Sequence, residues 1–479
     1  MIDALNRRRG ARPAATLAAL AALAAQLAGC AAVGPDYATP ASPAPAALTR
    51  DALPLDLRAG PVDARWWKAF GAPQLDAMVA EGLANSPTVA AVQATLRAAQ
   101  ENVTAQRGLF YPQAQAGANL SRQNVGRTQQ SPLNSGDAVF RYQTATLSVG
   151  YAPDLFGGTR RAVEQAQAGA DSQRWQLEGA RLTLASNLVG AALQTAMLAE
   201  QADLTAQAVA AMQEQLKVMR KLQGSGYASG LDVATQENLL SQLQQSLPPL
   251  EKSLEQSRNL TAVLMGRTPD AALPALRLSD IRLPALPQVV PSELVARRPD
   301  VRQADADLHA ASAAIGVAKA ARFPQLNLTA SLGGGATEFG KMFSAGNTVW
   351  SIGSGLLAPI FAGGTLQARQ RVAEAQFDAA AAQYRSAVLT AFQNVSDALY
   401  ALAIDQRALQ AADASVAATQ AGYRLTRAQL ESGYASRPSM LAAQQAWLQA
   451  QSARTASFGT LVGDSVALFQ ALGGGTAAP

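Results

Sequence analysis

Ser225-Gly226-Tyr227-Ala228-Ser229 recurs as Ser432-Gly433-Tyr434-Ala435-Ser436, 207 positions later. Three further landmarks keep the same order. Ser86-Pro87-Thr88-Val89 aligns with Arg298-Pro299-Asp300-Val301, and Phe110-Tyr111-Pro112-Gln113 with Arg322-Phe323-Pro324-Gln325, both at an offset of 212. Pro153-Asp154-Leu155-Phe156-Gly157-Gly158-Thr159 aligns with Pro359-Ile360-Phe361-Ala362-Gly363-Gly364-Thr365 at 206. The offset changes only between the second and third landmarks, where a loop belongs. The chain is therefore built as two halves on one plan, and each half is a template for reading the other.

Each half reads helix, strand hairpin, very long helix, turn, helix. The first repeat covers 66–290, with a hairpin at about 113–152, a long helix at about 160–222 and a tip at 223–230; the second covers 291–472, with a hairpin at about 325–358, a long helix at about 366–430 and a tip at 431–438. Pro112 and Pro324 end the first helices, while Pro153, Gly157, Gly158 and Pro359, Gly363, Gly364 mark the strand-to-helix transitions. Gln325 to Leu332 alternates polar and apolar without fault, as does Gln113 to Leu120, with alanines on one face. Thr144 to Tyr151 and Trp350 to Leu356 keep the period of two on the apolar side, with Ser354 a weak member. This pattern suits a membrane barrel with lipid outside and water inside, and equally a half-buried soluble sheet. Four strands cannot close a barrel and leave bare edges; shared among three copies they make twelve and leave none.

In the long helix, Leu184, Leu188, Ala191, Thr195, Leu198, Ala202, Thr205, Val209, Met212, Leu216 and Met219 step by 4 and 3, a heptad seam for a left-handed coiled coil. Val388, Phe392, Val395, Leu399, Leu402 and Leu409 repeat it, with Gln406 and Asp413 as breaks. Such a helix spans ~95 Å. The flanking helices, about 74–109 and 231–265, are each near half that, so two stacked end to end match one long one. The chain then crosses a middle level near 66–73, 266–298 and 473–479, the second crossing rich in proline (Pro269, Pro274, Pro284, Pro287, Pro291). Three copies with four helical columns each give a twelve-helix ring with a bore of ~30 Å at ~10 Å per helix.

Composition narrows the function. Of the 479 residues 15% are charged, and the net charge is +5. Arg7, Arg8, Arg9 and Arg12 against Asp3 account for three of those five, so no long basic face remains and no nucleic-acid partner is expected. The basic start precedes a short apolar run, Pro13 to Ala25, the form of a secretory signal peptide at 1–29. The segment ends Leu27-Ala28-Gly29-Cys30, and Cys30 is the sole cysteine. That ending resembles a bacterial lipoprotein signal, which implies diacylglycerol and palmitoyl chains on Cys30, a lipidated linker at 30–65 and no other cofactor. No run of 18 apolar residues follows, so membrane crossing is expected from strands in a closed barrel rather than from helices. The one histidine, His309, lies in an alanine-rich helical stretch. One histidine cannot build a metal site alone, no phosphate loop is present, and catalysis is not expected.

Val33-Gly34-Pro35-Asp36-Tyr37 after Cys30, Trp66-Trp67 with Phe70, Leu264-Met265-Gly266-Arg267, and above all Arg297-Arg298-Pro299-Asp300-Val301-Arg302-Gln303-Ala304 running on to Ile315-Gly316 and Phe323-Pro324 carry a specific likeness. Over nearly all of the mature chain the sequence resembles the TolC-like outer-membrane factors, within them the OprM/NodT-type lipoproteins of resistance-nodulation-division efflux systems. The resemblance implies a mainly α fold of long antiparallel helices with four strands per protomer, assembled as a homotrimer with a 12-stranded β-barrel and a 12-helix periplasmic barrel. It also implies an outer-membrane location, an exit duct for drugs or other small molecules, and two partners: a periplasmic adaptor and an inner-membrane pump. Gly226, Tyr227, Ser229, Asp232, Gly433, Tyr434 and Ser436 then lie at the tips that dock the adaptor and form the resting gate. Tyr227 and Tyr434 either block the bore or pack the turn; Asp232 either lines the pore mouth or caps its helix. Relatives commonly carry Leu-Asp-Ala-Gln after the second turn, where this chain has Leu441-Ala442-Ala443-Gln444. The missing acidic ring implies weaker cation preference. The loops near Arg122–Arg141 and Ala336–Asn347 are expected outside the cell. Type I secretion or metal export by a similar duct, or a periplasmic adaptor lipoprotein, are the alternatives.

Overall fold

The computed structural model describes residues 32–475, apart from 42–44, 46, 52, 59–61, 127–135, 288–294 and 296. Cys30, the signal segment and Pro291 lie outside the described residues. In chain order the elements are β1 (Leu57–Arg58), α1 (Pro73–Asn85), α2 (Pro87–Gly108), β2 (Gln113–Asn124), β3 (Val139–Tyr151), α3 (Gly158–Gly224), α4 (Gly230–Leu264), β4 (Leu286–Pro287), α5 (Pro299–Ala320), β5 (Gln325–Ala336), β6 (Thr348–Leu357), α6 (Thr365–Glu431) and α7 (Arg437–Ala471). The described residues form two compact units: those of 32–40, 97–172 and 305–383 make the first, and those of 41–96, 173–304 and 384–475 the second.

The first unit holds an antiparallel sheet of order β2-β3-β5-β6. Gln113 pairs with Gly150, Leu147 with Leu332, and Leu332 with Trp350. Because paired residues share a face, this register puts Ala116, Leu147, Leu332 and Trp350 together on an apolar side. Gln115, Ser148, Ser331 and Ser351 share the other side, where the Ser331 and Ser351 hydroxyls lie 2.8 Å apart. That second face carries amides and hydroxyls and no charge. Among the described residues β2 and β6 each have one strand neighbour, so both edges of the sheet stay open. Arg122 and Arg141, expected in a loop, sit inside β2 and β3 and face each other. The hairpin is simply longer than its hydrophobic pattern suggests.

In the second unit, Trp66, Trp67, Phe70, Leu75, Leu188, Met265, Leu278, Ile281 and Phe469 form one buried cluster. Residues of the first two middle-level crossings and of the last turns of α7, just before the third, therefore meet in a single core. Trp66 stacks on Phe469 at 5.3 Å, and β1 pairs with β4 in parallel. The heptad seam of α3 is buried or half-buried at every position. A second stripe beside it (Ala185, Val189, Ala192, Ala196, Leu204, Ala208) is also buried, because α3 meets α4 through Met212, Leu216, Val233 and Leu240 and meets α7 through Leu448. Small residues bring α3 and α4 close: the Thr195 and Ser257 hydroxyls are 2.8 Å apart. Both 67-residue helices also contain a window long and apolar enough to cross a bilayer, which the sequence reading did not expect. Half of the α3 window is buried within the fold, so its apolar content is core packing.

Prolines at two places behave in opposite ways. The helix expected over 74–109 is broken, since Ser86 before Pro87 is extended (ψ 119°), as a residue before proline prefers. Pro248 and Pro249 instead lie inside the continuous α4. The Arg298-Pro299-Asp300 motif also gains a reason. The buried Arg298 guanidinium forks onto Asp300 (2.9 and 2.6 Å) and donates to the Ala471 carbonyl at 2.8 Å, satisfying an acceptor that the end of α7 leaves free.

Candidate functional site

The two tips are built alike. Gly226 and Gly433 both have φ +81°, a left-handed conformation that ends a helix at little cost only for glycine. The Tyr227 N–H returns to the Leu222 carbonyl and the Tyr434 N–H to the Gln429 carbonyl, both at 2.8 Å. Ser229 and Ser436 then cap α4 and α7, accepting from the N–H groups of Asp232 and Ser439 at 3.2 Å. At the first tip the cap is reciprocal: the Asp232 carboxylate accepts from the Ser229 N–H and hydroxyl, each at 2.8 Å. These bonds hold its pKa below the ordinary carboxylate range, the backbone bond first. Asp232 is thus a capping-box residue. Its repeat equivalent, Ser439, keeps the cap without the charge.

Tyr227 and Tyr434 are 84% and 89% exposed. They do not pack their turns. Nearby, Arg437 reaches Glu214 on α3 at 2.9 Å and Arg220 reaches Glu237 on α4 at 2.7 Å. Ala442 is exposed and brings no charge.

The strand-to-helix transitions differ between the repeats. At the first, Asp154 accepts from the Thr159 and Arg160 N–H groups (3.1 and 2.8 Å), capping α3, and Phe156 stacks on Phe323 at 4.8 Å. Gly157 has φ +78°, and a Cβ there would lie 2.4 Å from Ala32. At the second, Ile360 and Phe361 beside Pro359, Gly363 and Gly364 are 97% and 91% exposed. The same asymmetry runs along the long helices. No large apolar side chain of α3 is exposed, whereas α6 exposes Val372, Leu389, Tyr400 and Leu425.

The sequence reading passed over the network around His309. Its ring stacks on Tyr37 at 4.4 Å, and Nε2 lies 2.9 Å from Glu164. Arg161 bridges Glu164 and Asp36, both at 2.7 Å, and Tyr37 donates to Asp305 at 2.5 Å. Burial works against ionising Glu164, yet the bonds from His309 and Arg161 hold its pKa low. The signal was present in Val33-Gly34-Pro35-Asp36-Tyr37: this segment straps onto α3 and α5, with Gly34 packed so tightly on Gly316 that a Cβ would lie at 2.6 Å.

Residues 78–267 and 290–474 match the family described as outer membrane efflux protein. The chain belongs to that family. It is 34% identical over 418 residues to the pyoverdine export outer membrane protein OpmQ of Pseudomonas putida, covering 86% of this chain and 88% of the relative. It is 31% identical over 457 residues to the toluene efflux pump outer membrane protein TtgC of Pseudomonas putida, covering 94% and 93%. The solved outer-membrane channel OprN superposes with a TM-score of 0.81 at 27% identity over 92% of this chain and 99% of that one. The fold is TolC-like, and the efflux proteins are transport ducts rather than a family of enzymes. Two halves of one chain matching the family in turn, 78–267 and 290–474, follow the internal repeat.

Proposed function

We propose that this protein is the outer-membrane exit duct of a tripartite efflux pump, working as a homotrimer with a periplasmic adaptor and an inner-membrane pump of the resistance-nodulation-division type. The observation that carries the reading is the four-stranded sheet with one apolar face, one uncharged polar face and two open edges. Further copies of the same sheet close those edges, put the apolar faces toward lipid and line a bore with hydroxyls and amides. The exposed flank of α6 meets α3 of the next copy in the same way. An uncharged bore leaves choice of cargo to the pump, and the exposed tips, with Tyr227 and Tyr434 outermost, dock the adaptor and gate the bore. Cys30 carries the lipid, and two or three acyl chains at ~0.8 kcal/mol per buried methylene hold it in the membrane. The test is dye retention in cells lacking the duct. Wild type is expected to restore efflux. Cells that export equally well without the duct, with pump and adaptor present, would refute the role.

A further inference from the structure

We propose that Arg122 and Arg141 form a clamp for the phosphate of an outer-leaflet lipid whose acyl chain lies in a groove on the same face of the sheet. The proposal rests on the barrel reading above. The two arginines are register partners on β2 and β3, and both are exposed. Like charges directly opposite each other across a ladder repel. Nothing in the described residues relieves this: neither guanidinium has a hydrogen bond or ion pair there. Of the charged groups at this end, Glu338 and Lys341 satisfy each other at 3.0 Å, and Asp137 has a partner of its own.

Their face and depth decide the ligand. The period of two puts Arg122 on the side of Ala118 and Leu120, and Arg141 on the side of Leu147 and Val149, the apolar face. From Tyr151 to Arg141 is ten residues, ~34 Å along the strand at ~3.4 Å each. With the ~40° tilt of barrel strands this is ~26 Å along the membrane normal, against an apolar band of ~25 Å. Tyr151 therefore stands at the rim beside the helices and Arg141 at the opposite rim, beside the hairpin turns. That is the depth of the headgroups, where phosphate is the abundant anion. Arginine is always charged, and paired guanidinium forks match phosphate oxygens.

Below the arginines lies a cavity of about 560 Å³, floored by Ala116, Ala118 and Ala145, walled by Leu147 and Leu332 and overhung by Phe343. Its size is that of sites that bury a ligand, ~300–1,000 Å³. Ala118 is four residues from Arg122, ~14 Å along β2. One lipid can span that distance, with its phosphate above and its tail below.

The experiment uses the purified full-length protein in detergent, titrated with diphosphoryl lipid A, the same glycolipid stripped of phosphate, and inorganic phosphate, with binding read by native mass spectrometry. Wild type is expected to bind the phosphorylated lipid about tenfold or more tightly than the stripped one, the effect of one charge-assisted hydrogen bond or more. Arg122→Gln with Arg141→Gln is expected to erase that preference. Ala118→Phe, which fills the groove and spares the arginines, is expected to weaken both lipids. Unchanged preference in the double variant would overturn the clamp, as would inorganic phosphate displacing the lipid at equal concentration. Full lipid affinity in Ala118→Phe would overturn the groove. Conductance of the same preparation with Tyr227 and Tyr434 replaced by alanine separates the two readings: a conducting protein whose wild type fails to discriminate the lipids refutes the clamp alone, and one that stays silent strikes at the barrel.

Discussion

The internal repeat predicts how neighbouring copies pair, residue by residue. Within the chain β3 pairs with β5, Ser148 opposite Ser331. Gln113 pairs with Gly150 and its repeat equivalent Gln325 pairs with Leu357, so Gly150 corresponds to Leu357. Position 148 then corresponds to Gly355 on β6, and Ser331 to Asn119 on β2. If the assembly continues the sheet as the chain does, Gly355 of one copy lies opposite Asn119 of the next, both facing the bore. Directly opposed Cβ atoms are ~4.5–5.5 Å apart, against ~7–8 Å for the diagonal, and a disulfide needs ~3.5–4.5 Å. A protein carrying Gly355→Cys and Asn119→Cys should oxidise to a covalent trimer on a denaturing gel, since β2 and β6 are opposite edges of one sheet. Gly355→Cys with Gly117→Cys, two residues out of register, should cross-link poorly. Equal or better cross-linking by the mismatched pair would refute the register, and absence of cross-links from both would refute shared strands.

Four further outcomes follow. Ser229→Ala removes the cap of α4 and should cost about 1 kcal/mol of tip stability, seen as faster amide exchange over 225–235 with the strands unaffected. Burial and the neighbouring Asp405 push Asp464 up to about 6. A carboxyl raised on folding loses stability as pH climbs from its unfolded value, ~4, through its folded one; Asp464→Asn should therefore raise the melting temperature above pH ~6 and lose that advantage near pH ~4, and a gain independent of pH would contradict the raised Asp464 pKa. Phe70→Ala, in the buried cluster that joins the first two crossings to α7, should cost ~3–5 kcal/mol in chemical unfolding. With Ala442 uncharged, reversal potentials in a salt gradient should show weak cation preference, and a strong preference that survives Asp232→Asn would count against that.

Much of this architecture was legible because the physics is local. Ser331 and Leu332 face different surroundings, so the strand alternates; Leu188 and Met212 lie on one helical stripe, so the seam shows. What the sequence concealed depends on partners distant in the chain. Arg122 and Arg141 look like loop residues until the ladder aligns them. Asp405 and Asp464 are unremarkable separately, and Asp405 bears on Asp464 only because α6 and α7 pack. The strap is the same case: His309, Glu164 and Tyr37 come from three separated segments, and Arg161 joins them. The break at Pro87 and the continuity at Pro248 show the limit of proline as a signal. Ser86 is free to extend, whereas packing of α4 on α3 carries the helix through. The fate of the tip tyrosines needed the exposure of a turn, which no spacing encodes.

The central claim is that copies of this chain share one barrel around a continuous bore. It is tested most directly by the conductance of the purified protein in a planar bilayer, with its oligomeric mass determined in the same detergent. A trimer that carries ions through one persistent pore, with the tip tyrosines Tyr227 and Tyr434 replaced by alanine to release the gate, is the predicted result. A monomer, or a trimer that stays silent with both tyrosines removed, would contradict it.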